Sequence, residues 1–175
     1  MPEAGRHAPI LIAASWQALG RALNEGPDTR VCNCTIVVLF AGFYVEANLN
    51  HIVRVLKLKR RVSQFMGSQK HPGLGDKLAW FYNDFISPVR VDDLAAARKQ
   101  GVYRKVRRRF PGFAPLYRFR NDISHGVINR SGRSLAEAQR LRQRAKDIVS
   151  ELFRVLDQRD HNVRRATSYW QAIQR

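Results

Sequence analysis

Apolar positions along the chain recur at helical rather than strand spacing. Between Ile10 and Leu23 they fall at 10, 11, 12, 16, 19 and 23, a stripe that stops before Gly26 and Pro27. From Thr35 to about Leu58 the chain is first apolar almost all round, then polar at Glu46, Asn48, Asn50, His51, Arg54 and Lys57. The β-branched run Ile36-Val37-Val38 would suit a strand, but so long a stretch broken only by Gly42 predicts a central buried helix. Residues 62–75, with Gly67, Pro72, Gly73 and Gly75, predict a loop, and 76–86 an aromatic-rich helix closed by Ser87-Pro88. Asp92 is expected to cap a short helix that Gly101 ends. Pro115 suits the first turn of a helix over 115–125, and Gly126 its end. Ser134 and Glu137 make a capping box before Leu141, Ala145, Ile148, Leu152 and Val155, which follow at helical spacing. A basic tail over 159–175, with Tyr169 and Trp170, closes the chain as a last helix or extension. With no internal repeat and no hairpin-linked strand pair, the expected class is all-α.

At 175 residues, 45% of them hydrophobic, the chain is expected to form a single domain over 1–175 with its core at about 35–157. Charge sharpens this: 31 Lys and Arg against 14 Asp and Glu leave +17, which calls for an anionic partner, nucleic acid or an anionic membrane surface. The longest charge-free stretch, Val31 to Val45, holds 15 residues. A bilayer-spanning helix requires roughly 20, so no membrane partner is expected. Residues 1–14 carry Glu3 and lack a secretory signal pattern. Cys32 and Cys34 are too close for an easy disulfide and supply half of a zinc site, so they read as reduced small residues at the start of a buried helix, in keeping with the cytoplasm. His7 and His71 fall in expected loops without ligand partners, and His51 and His161 read as surface or packing residues. No metal and no cofactor is expected, since Gly73-Leu74-Gly75 falls far short of a nucleotide-binding loop.

Candidate chemistry concentrates on residues 115–125. On a helix, Asn121 and His125 share a face that Arg118 joins, while Arg120 lies about 140° from His125. A histidine beside two arginines gives up its proton readily unless Asp122 or a phosphate compensates, which is the behaviour wanted in a general base. RNA backbone cleavage needs a base for the 2′-hydroxyl, an acid for the leaving 5′-oxygen and cations for the charge that develops at phosphorus. One histidine supplies half of that set. A two-fold homodimer joining two such helices would supply the rest.

The run Arg120-Asn121-Asp122-Ile123-Ser124-His125 resembles the arginine, polar residue, short spacer and histidine signature of the HEPN superfamily. The likeness extends loosely over 35–157. It implies an antiparallel helical bundle, here with extra short helices, and a metal-independent endoribonuclease whose site forms across a homodimer, as in toxins and defence effectors. Carried over, Arg120 contacts the scissile phosphate, Asn121 supports it and His125 acts in acid or base catalysis. The helix bearing Glu46 and Asn50 resembles the family's early helix, which often holds an acidic or polar residue near the site. Glu46, Asn50 and Arg54 fall on one face, so Glu46 is a candidate for orienting Arg120 or His125. Some family toxins carry a tyrosine two residues after the histidine, where a paired antitoxin transfers a nucleotide. Val127 stands there, so neutralisation by that route is not expected, and an antitoxin or regulatory protein is a candidate partner only.

Arg104, Lys105, Arg107, Arg108 and Arg109, flanked by Tyr103 and Phe110, form a second candidate. They suit an RNA backbone, with the aromatics stacking a base, and are expected close to the motif helix. The alternative function is a non-catalytic RNA-binding or partner-binding module that uses the same surface. A DNA-binding role through Arg164, Arg165 and Gln171 would require a turn signature that the sequence lacks.

Overall fold

The computed structural model describes residues 7–24, 26–69, 72–124 and 134–159. Among them eight helices and no strand form, so the class is all-α: α1 (His7–Asn24), α2 (Pro27–Val55), α3 (Lys59–Met66), α4 (Leu74–Phe85), α5 (Leu94–Lys99), α6 (Val102–Arg109), α7 (Phe113–Ser124) and α8 (Leu135–Asp157). The chain divides into two units, each assembled from separate segments. The first takes residues 1–48 and 111–149, the second 49–110 and 150–175.

In the first unit, α1 buries Ser15, Ala18, Leu19 and Ala22, one face at three- and four-residue spacing. The Ser15 hydroxyl donates to the Val37 carbonyl at 3.1 Å, which satisfies a hydroxyl that is fully buried. On α2 the buried residues include Asn33, Cys34, Val37, Val38, Ala41, Tyr44, Val45 and Asn48, the last donating to the Tyr44 carbonyl at 2.8 Å. Helix α7 contributes Phe113, Leu116 and Phe119, and α8 contributes Ala138, Leu141, Ala145, Ile148 and Val149. Gly112 opens α7 with φ +94°, and a Cβ there would lie 2.6 Å from the Arg144 Cβ on α8. Only glycine combines that backbone with that approach.

In the second unit, α4 is the hub, packing against α3, α5 and α6. Trp80, Phe81 and Phe85 form a ring cluster with centroids 4.9 to 6.4 Å apart. The Asn83 amide clamps the following turn by donating to the Val91 carbonyl at 3.0 Å and accepting from its N–H at 2.8 Å.

Several boundaries depart from the sequence expectation. Helix α2 begins at Pro27 rather than Thr35, and His7 is the first residue of α1 rather than part of a loop. The expected loop at 62–75 is helical as far as Met66, because α3 follows a break that carries neither Gly nor Pro. That break is made by Lys57 at φ +54°, with the Leu58 N–H reaching the Val53 carbonyl at 2.8 Å. The cap of α5 is Asp93, accepting from the Ala96 N–H at 2.7 Å, not Asp92. Ser134 does cap α8, accepting from the Glu137 N–H at 3.2 Å, while the Glu137 carboxylate turns to Arg140 at 3.3 Å. Counting charge-free residues stops at Glu46, whereas the helix runs on, and Thr29–Val55 is long and apolar enough by composition to cross a bilayer. A core helix passes the same test, and 56% of the tested window is buried within the protein.

Candidate functional site

The motif helix α7 forms because Phe113, Leu116 and Phe119 supply a buried stripe and Pro115 falls in the first turn, where its missing N–H costs nothing. Tyr117 stacks on Phe113 with centroids 5.6 Å apart. The helix holds Arg118 exposed and Asn121 and Asp122 half-buried, and it places the backbone of Arg120 in its last turns. The Arg120 side chain, His125, Gly126 and Val127 lie outside the described residues, as do His71, His161 and the basic tail from 160 onward. On α2, Glu46 and Arg54 are half-buried and Asn50 is exposed. Glu46 belongs to the same unit as α7, whereas Asn50 and Arg54 belong to the other.

The basic run is helix α6 itself, anchored by buried Val102 and Val106. Four residues apart, those two valines mark the buried stripe of the helix, and Arg104, Lys105, Arg107 and Arg108 fall off it and are exposed. The run belongs to the second unit and the motif helix to the first. Arg109 differs from its neighbours by pairing with Glu151 on α8, and Glu151 also takes a bidentate bond from Arg154 at 2.7 and 2.8 Å. The Arg154 hydrogen bonds, reinforced by Arg109, hold the Glu151 carboxyl below its ordinary range against the opposing effect of burial. Arg109 is thus partly neutralised, and the cations open to a phosphate are the four before it.

The expected base-stacking aromatics are not presented. Phe110 is 1% exposed. The Tyr103 hydroxyl donates to Asp76 on α4, whose other carboxylate oxygen accepts from the Gly73 N–H at 3.0 Å. Burial and that bond push the Tyr103 phenol well above its ordinary value. Both rings serve packing, and what α6 exposes is its cations. The Glu151–Arg109 and Asp76–Tyr103 links carry no signal in the sequence, because the partners lie 42 and 27 residues apart and follow no periodicity.

Cys34 is buried, which raises its thiol, and Cys32 is exposed; both are free. His51 is buried on α2, and burial together with Arg54 pushes its imidazole down. Among the described residues no group of His, Cys, Asp and Glu gathers as a metal site. No family model matches the chain, and no curated protein or solved structure is similar to it.

Proposed function

We propose that the chain is a HEPN-type, metal-independent endoribonuclease working as a homodimer, in the manner of a growth-arresting toxin or defence effector. The observation that carries this reading is that helix α7, described over Phe113–Ser124, carries Arg120 and Asn121, with His125 next in the sequence. The all-α architecture suits a helical bundle of that type, and the +17 charge suits a polyanionic substrate. In the proposed reaction a 2′-oxygen attacks phosphorus as His125 takes its proton, and the phosphorus–5′-oxygen bond breaks. The departing 5′-oxygen takes a proton from the second protomer's copy of the histidine. Arg120 and Asn121 hold the phosphate and stabilise its developing charge. The products are a 2′,3′-cyclic phosphate and a 5′-hydroxyl.

Incubating labelled RNA with wild type and His125→Ala in excess EDTA, followed by end-group analysis, tests this. Cyclic-phosphate fragments from wild type alone support it. Intact RNA in both, with a salt-sensitive mobility shift, replaces it with the non-catalytic RNA-binding module.

A further inference from the structure

Trp16 is 62% exposed on α1, among the described residues an outlier in a protein whose other large aromatics are buried or half-buried. The Arg142 guanidinium of α8 lies over its ring, 4.6 Å from the centroid. Arg142 is half-buried, and its buried Nε has no hydrogen-bond partner among the described residues. Its neighbours on α8 are paired, Arg140 with Glu137 at 3.3 Å and Arg144 with Asp147 at 3.6 Å. Arg142 has no such carboxylate, because the positions three and four residues away hold Ala138, Gln139, Ala145 and Lys146. Lys146, half-buried on the same face, is likewise without an ion pair among the described residues. One turn beyond Trp16, a Cβ on Gly20 would meet nothing within 4 Å, so the approach to the indole along α1 is open.

We propose that Trp16 and Arg142 form a docking platform for single-stranded nucleic acid, in which a base stacks on the exposed indole and an adjoining phosphate meets the Arg142 guanidinium. Cations without carboxylates beside an open aromatic call for an anion that also carries a flat ring, and a nucleotide is both. The platform also supplies what α6 lacks. It rests on the nucleic-acid part of the proposed function and is independent of cleavage.

The test uses short 2′-O-methyl oligouridylate, which cannot be cut, beside an abasic oligomer of equal length, with binding read by fluorescence anisotropy. Wild type should prefer the oligomer that carries bases. Trp16→Ala should lose roughly five-fold or more on that oligomer and nothing on the abasic one. Arg142→Gln should weaken both. Gly20→Glu, which has room to fold, should weaken both by placing a carboxylate beside the indole. Wild-type affinities in Trp16→Ala would overturn the platform, as would a change of oligomeric state in that variant with oligonucleotide binding intact. RNA left uncut while binding still depends on Trp16 would count against the nuclease alone. Cleavage intact with a neutral Trp16→Ala would count against the platform alone.

Discussion

The two units divide charge and chemistry unequally. Among its described residues the second unit has sixteen Lys and Arg against six Asp and Glu, whereas the first has eight against five. The second unit keeps Trp80, Phe81, Phe110 and Tyr103 in packing roles and offers its cations on α6. The first has little surplus charge but carries the motif helix, the exposed Trp16 and Arg142, which pairs with no carboxylate among the described residues. A surface of cations alone attracts any polyanion, whereas discrimination needs groups that respond to base or bond geometry. On the proposed reading, affinity and selectivity therefore belong to different units and are separable by mutation.

The largest separation is expected from His125→Ala, with cleavage falling by about 10²- to 10⁴-fold and RNA affinity held, as measured by single-turnover kinetics and anisotropy. Equal losses of both would merge the two roles. Gly112→Ala should destabilise the first unit by about 2 kcal/mol or more, since a side chain at positive φ would collide with Arg144; chemical denaturation followed by circular dichroism reads this. In the second unit, Arg107→Ala with Arg108→Ala should leave cleavage at saturating RNA near wild type while weakening binding. The salt slope should fall by about 1.4 for a single strand that loses two phosphate contacts. Lys57→Gly should stabilise the second unit by about 0.5–1 kcal/mol by relieving a left-handed lysine.

The smallest effect is one of pH. Folding holds Glu151 below its ordinary value, so its contribution is fully present at neutral pH and fades as pH drops below about 4.5 towards the lowered value. Glu151→Gln should therefore shallow the acid limb of a stability profile and leave α7 chemistry unchanged.

Much of the helical layout was legible because burial imposes a period. The stripe at Leu141, Ala145, Ile148, Leu152 and Val155 is buried throughout, and Ser134 caps its helix. Breaks without glycine or proline were not legible. At Lys57 the turn is held by backbone bonds to Val53 and Arg54, which the side-chain pattern does not encode, so α3 was hidden. The candidate site was legible in type. Sequence could name Arg104 to Arg109 as cations but could not single out Arg109, which Glu151 engages, nor see that Tyr103 is occupied by Asp76.

By itself, then, the sequence determined the all-α class and the surplus of positive charge, because each depends on residue identity or on spacing within one helix. The tertiary structure decided which cations are neutralised, which aromatics are hidden and that Arg142 rests on Trp16 with no carboxylate paired to it among the described residues. Those outcomes depend on side chains brought together from distant parts of the chain, and packing rather than periodicity selects such encounters.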